Sequence, residues 1–156
     1  MEEKGEAKLI SIDDYNNRSL ELLNNNTTEQ ITIKNAFNIK ANNIEINSNL
    51  KNTESDNKIW VSISNKVLDK QISLILKDYK NRTTIIDAII NKVIENDING
   101  VIVDFEEIQV DEKETIKRFM IELVPKLREV GIDTCIVLNS NIEKNDYINL
   151  VDYIVE

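Results

Sequence analysis

The sequence predicts an α/β protein built on a parallel sheet, and three observations predict it. Short apolar runs rich in β-branched residues alternate with longer segments whose apolar residues recur at helical spacing. Gly100 and Gly131 stand where a helix would give way to a strand. The resulting strand, helix, glycine, strand, helix, glycine, strand order over 58–139 is a βαβ series, which implies right-handed crossovers. At 156 residues the chain reads as one domain (1–156), its N-terminal third being the less regular part.

Taken in order, Lys8–Ile12 alternates as a strand and runs into an expected loop at Asp13–Asn17. Ser19–Leu23 is expected to form a short helix, ended by the tract Asn24-Asn25-Asn26. Ile31–Ile33 starts a second strand, and Asn38–Ile46 reads as an irregular hairpin closing on Ile44–Ile46. Positions 47–57 are polar and loop-like, Lys58–Asn65 is a β-branched strand, and Val67–Leu76 reads as a short helix. Thr83 or Thr84 is the expected cap of a helix whose face is Ile85, Ile86, Ile89, Ile90, Val93 and Ile94, with Asn99-Gly100 as its stop. After the next strand, Asp111 and Glu114 are the expected capping box of a second helix, facing the core through Ile116, Phe119, Met120, Leu123, Leu127 and Val130. Pro125 is expected to kink or break it. Asp133–Asn139 is a strand, Tyr147–Leu150 a short helix or turn, and Val151–Val155 the last strand.

Composition narrows the chemistry. A net charge of −9 with no basic cluster argues against a nucleic-acid partner or an anionic-membrane surface. No apolar run is long enough to span a membrane, and the charged start Met1–Glu6 does not read as a signal peptide. The chain has no histidine, which excludes Ser-His-Asp and Cys-His mechanisms and imidazole metal sites. Its single cysteine, Cys135, lies in an apolar strand and reads as a buried thiol. Carboxylates are left as the acid–base groups, and no cofactor is expected.

They gather at one place. Along 101–106, alternation puts Ile102, Asp104 and Glu106 on one face and Val101, Val103 and Phe105 on the other. Asp104 and Glu106 thus project from the carboxyl end of a strand, the end of an α/β sheet where ligands bind. Two such carboxylates repel, so one is expected to hold its proton more tightly. Asn65 and Asn139, also at strand ends, are candidate substrate-binding residues at the same mouth, or else turn formers. A hard-cation set of Asp104, Glu106, Glu107 and Asp111 is the weakest alternative, because Glu107 faces away from the pair, and no metal is expected.

The stretch Asn99-Gly100-Val101-Ile102-Val103-Asp104-Phe105-Glu106 resembles the Asp-Gly-x-Asp-x-Asp-x-Glu signature of glycoside hydrolase family 18, in particular its bacterial spore-cortex and spore-germination N-acetylglucosaminidases. Lys58–Asn65, Phe119–Gly131 and Asn149–Val155 resemble segments of that branch in the same order. The resemblance implies an incomplete or shortened (β/α) barrel of about six strands. It also implies substrate-assisted retaining hydrolysis of N-acetylglucosamine-containing peptidoglycan or a chitin-like glycan. Glu106 would be the catalytic acid and Asp104 the carboxylate that orients the substrate's N-acetyl group. It implies an extracellular, cell-wall or spore-associated setting.

This sequence departs from the signature at Asn99 and Ile102, each an aspartate in the family, and Ile102 removes a hydrogen-bonding neighbour of Asp104. The family's next motif supplies a Tyr and an Asp, and a later strand a Trp, none of which this chain contains. Its one tryptophan, Trp60, suits core packing as well as sugar stacking. A catalytically inactive glycan-binding or scaffold descendant is therefore the alternative, with an unrelated α/β domain third. A shortened barrel would leave strand edges open, so that oligomerisation through them or a non-barrel closure is the expectation.

Overall fold

A computed structural model describes residues 5–41, 43–46, 57–68 and 70–156. In chain order the elements are β1 (Lys8–Ile10), α1 (Ile12–Asn16), β2 (Ser19–Asn24), β3 (Thr27–Lys40), β4 (Asn43–Ile46), β5 (Lys58–Ser64), α2 (Ser73–Leu76), α3 (Tyr79–Glu95), β6 (Gly100–Asp104), α4 (Lys113–Glu129), β7 (Asp133–Val137), α5 (Lys144–Tyr147) and β8 (Tyr153–Val155). The strands join in one sheet of order β1-β8-β7-β6-β5-β3-β2, with β4 paired to β3. Only β2 and β4 run antiparallel to β3; the run from β3 through β5, β6, β7 and β8 to β1 is parallel.

The sheet curls. Ile10 of β1 and Leu20 of β2 come from its opposite ends, yet they meet in one buried cluster with Tyr15, Ile33, Trp60, Ile102, Cys135 and Val155. That cluster fills the concave side. The convex side carries a larger core, in which Val101, Val103 and Phe105 meet the inner faces of α3 and α4. Ile116, Phe119, Met120, Leu123, Val124 and Leu127 of α4 are all buried. At about 1.5–3 kcal/mol for each fully buried apolar side chain, this stripe is what holds the helix on the sheet. Arg82, nearly buried, ties α3 to α4 through Glu122 at 2.6 and 3.1 Å and donates to the Leu76 carbonyl at the end of α2 at 2.9 Å.

Several local expectations are corrected. Asp13–Asn17 is not a loop: α1 occupies it, capped by Ser11 Oγ, which accepts from the Asp14 amide at 3.1 Å. Ser19–Leu23 is not a helix but strand β2. Asn25 and Asn26 both take positive φ (51° and 66°), the geometry of a tight hairpin turn, so the asparagines join two strands rather than ending a helix. Helix α3 starts at Tyr79 with Asp78 as cap, while the Thr84 hydroxyl bonds back to the Lys80 carbonyl inside it. Its end is marked by Asp97 (φ 54°) rather than by Gly100. Gly100 is a strand residue: a Cβ there would lie 2.5 Å from the Trp60 ring, which lies against the bare backbone of β6. The cap before α4 pairs Gln109 with Glu112 in place of Asp111 with Glu114, and Glu112 Oε2 accepts from the Gln109 amide at 2.8 Å. Helix α4 runs unbroken through Pro125, and Ile121, whose carbonyl loses its helical donor there, is on the exposed side. All but Asn57 of the expected 47–57 loop lies outside the described residues.

Candidate active site

The register of the parallel strands sets the interior in layers. Trp60 pairs with Gly100 near the floor, and its ring centroid is 5.0 Å from that of Tyr153. Above it Ser62, Ile102 and Cys135 share a level. At the carboxyl ends Asn38, Ser64 and Asp104 share the next one. Asp104 is therefore the last interior residue of β6, directly over the buried Ile102.

The chain then leaves the sheet. Phe105 turns back into the convex core, and Glu106 emerges with its side chain about half exposed (52%), its Oε1 3.4 Å from Lys66 Nζ. Glu107 follows at positive φ (56°), which throws the loop outward. The turn is held by asparagine side chains. Asn65 Nδ2 donates to the Glu106 carbonyl and Asn65 Oδ1 accepts from the Glu106 amide, both at 2.9 Å. Asn139 Nδ2 donates to the Phe105 carbonyl at 2.9 Å, and Asn141 Nδ2 to the Ile108 carbonyl at 2.6 Å. Asn65 and Asn139 are thus at the mouth, with these hydrogen bonds spent on the backbone that aims Glu106.

Asp104 has a partner that sequence reading missed. Tyr15, on α1, is 3% exposed, and its hydroxyl donates to Asp104 Oδ2 at 2.7 Å across 89 positions of sequence. Burial, then the Asp104 carboxylate, hold the phenol protonated well above the ordinary tyrosine range. The Arg18 guanidinium lies 4.6 Å from the centre of the same ring. No local pattern around Tyr15 announces this contact. It depends on β1 pairing with β8, where Glu156 and Ile12 amides bond back to Ile10 and Glu156 carbonyls, which sets α1 at the mouth.

Asp104, Glu106, Tyr15 and Asn139 line one cavity of about 340 Å³, closed by Ile12, Val137 and Leu138. That is within the range of about 300–1,000 Å³ of small-molecule sites. A larger space of about 440 Å³ adjoins Glu106 between Lys66, Gln71 and Gln109 but does not reach Asp104, so the smaller one holds the pair. Among the described residues no group of three or more metal-ligating side chains gathers.

No protein-family model and no curated protein sequence matches the chain. Solved structures do match. The spore cortex-lytic enzyme SleL of Bacillus cereus aligns with a TM-score of 0.65 and 16% identity, over 80% of this chain and 33% of that one. The sporulation-specific glycosylase YdhD of Bacillus subtilis aligns at 0.68 and 15%, over 88% and 52%. The Group IV chitinase of Ostrinia furnacalis in complex with allosamidin aligns at 0.67 and 14%, over 96% and 50%. The chain thus spans about a third to a half of these structures. The class follows from the likeness: a chitinase-like (β/α) barrel fold in partial form, a curled sheet with its long helices outside. More narrowly, the fold is like that of glycoside hydrolase family 18, spore glycosylases and chitinases both being among the neighbours.

Proposed function

We propose that this chain forms a glycan site for N-acetylglucosamine-containing cell-wall or spore peptidoglycan, outside the cell, and cleaves it by substrate-assisted retaining hydrolysis. The observation that carries the reading is the single 340 Å³ cavity lined by both Asp104 and Glu106 at the carboxyl ends of the strands. Glu106, half exposed on a backbone clamped by Asn65 and Asn139, delivers a proton to the glycosidic oxygen. The substrate's N-acetyl oxygen attacks the anomeric carbon as the leaving group departs. Asp104, with Oδ2 fixed by Tyr15, turns Oδ1 to the amide N–H and stabilises the positive charge that develops there. Water then opens the cyclic intermediate, returning its proton to Glu106.

The test is the release of reducing ends from N-acetylglucosamine oligomers by the wild type and Glu106→Gln. A loss of about 10²–10⁴-fold in the variant is expected for removal of a general acid. Turnover that survives the substitution unchanged removes Glu106 from the role. A second reading, binding without hydrolysis, has its own support: Lys66 is paired with the carboxylate that hydrolysis needs free, and Ile102 gives Asp104 no polar neighbour beneath it. Saturable oligomer binding with no turnover in the wild type would select it.

A further inference from the structure

Beside the acid cavity, and sharing only Asp104 with it, lies a second space of about 140 Å³ lined by Asn35, Phe37, Asn38, Ser62, Ser64, Lys66 and Asp104. Its construction is unusual in one respect. Residues 35 and 38 would point to opposite faces of a regular strand. The register of β3 against β5 slips between Asn35 and Phe37, so that Asn35 pairs with Ser62 and Asn38 with Ser64, on the same interior face. A bulge beside a site commonly serves to re-aim a side chain. Here it brings Asn38 inside.

The two asparagines are then used differently. Asn35 Oδ1 accepts from the Ser62 hydroxyl at 2.5 Å, which leaves its amide nitrogen as a donor. Ser64 Oγ accepts from the Lys66 amide at 3.0 Å and keeps its own proton to give. Asn38 is only 6% exposed, and its side chain makes no hydrogen bond to any described residue. Its polar atoms are not among the fully buried ones, so donor and acceptor both open on the cavity, where a hydrogen bond to a ligand contributes about 0.5–1.5 kcal/mol.

We propose that this pocket binds a neutral hydroxyl- or amide-bearing substituent of the glycan whose scissile bond lies at Glu106, with Asn38 as its main reader; the inference rests on the function proposed above. The occupant is a substituent rather than a ring, because sites that enclose a whole ligand run to about 300 Å³ or more. It is neutral, because Asp104 forms a wall and the Lys66 ammonium is engaged at Glu106. It carries both donors and acceptors, because the carboxamide of Asn38 presents both. Asp104 is then a partition between two subsites, its Oδ2 bound to Tyr15.

The experiment is calorimetric titration of the full chain with the N-acetylglucosamine trimer and with the glucose trimer, for the wild type, Asn38→Leu and Ser64→Ala. The leucine variant is expected to weaken binding about 3- to 10-fold, the scale of one lost hydrogen bond, with an unfolding midpoint no lower than the wild type's. Ser64→Ala, which leaves the pocket open, is expected to weaken it in the same direction and keeps the test intact should the leucine variant not fold. A weakening seen for both sugars assigns a hydroxyl; one seen for the N-acetylated trimer alone assigns the amide. Wild-type binding left unchanged by both substitutions overturns the pocket and leaves the proposed function standing. Failure of the wild type to bind either trimer overturns both.

Discussion

The two halves of the sheet's mouth differ in kind. On the β3, β5 and β6 side the interior residues at the top level are Asn38, Ser64 and Asp104, with Asn35 and Ser62 one step below. On the β7, β8 and β1 side they are Val137, Val155 and Ile10. The apolar half packs around Tyr15 and walls one side of the acid cavity, whereas the polar half encloses the second, smaller space. An interior polar group is tolerable where it has a partner or a wet cavity, and not otherwise. The difference explains the position of the candidate site: Asp104 is the seam, facing its polar neighbours along the sheet and meeting the phenol of the apolar half.

The floor beneath both halves is where the largest effect is expected. Trp60→Ala removes the buried ring that β6, Tyr153 and the rest of the interior pack on, and a loss of about 3–5 kcal/mol is expected in urea unfolding. Gly100→Ala pushes against the same ring from the other side, and a loss of about 1–3 kcal/mol is expected from overpacking; an alanine variant as stable as wild type would show that the ring is free to move away.

Tyr15→Phe cuts the seam while leaving the apolar packing in place. A hydrogen bond to a charged group contributes about 1.5–3 kcal/mol, and a loss on that scale is expected at neutral pH. The pH dependence has a definite sign. The folded phenol titrates above the unfolded value of about 10, so its stabilising contribution is complete below that pH and lost as the pH rises through the folded value. Tyr153, pushed up to about 12 mainly by burial, and Tyr147 act in the same direction. Stability should therefore fall as the pH rises past about 10, less steeply in Tyr15→Phe, and equal slopes in the two proteins would remove Tyr15 as a contributor. The smallest effect is expected for Asn65→Ala, about 1 kcal/mol because the site is exposed, with turnover lowered more than binding as the backbone of Glu106 loosens.

How much of this was legible in the sequence differs between the same halves. The βαβ portion declares itself through apolar periodicity, because α3, β6, α4 and β7 each bury one regular face. The alternation of Ile102, Asp104 and Glu106 likewise locates the carboxylates, since strand geometry is local. The N-terminal hairpin does so only weakly: Ser19-Leu20-Glu21-Leu22 alternates, but over four residues, too short a run to decide strand against helix, and the turn at Asn25-Asn26 is only a turn once both residues take positive φ. The Tyr15–Asp104 contact and the slip at Asn35 are set by which strand pairs with which, and no window of sequence carries that information. The roles of Gly100 and Asp97 are exchanged for a similar reason, the glycine being required by a tryptophan 40 positions away.

The central claim is that the mouth is one glycan site divided by Asp104. Heteronuclear shift mapping of the ¹⁵N-labelled chain against the N-acetylglucosamine trimer tests it without depending on turnover. Saturable shifts confined to Tyr15–Asn16, Asn35–Asn38, Ser64–Lys66, Asp104–Glu107 and Val137–Asn139 are the result the account predicts. Shifts gathered on the outer faces of α3 and α4, or none that saturate, would contradict it.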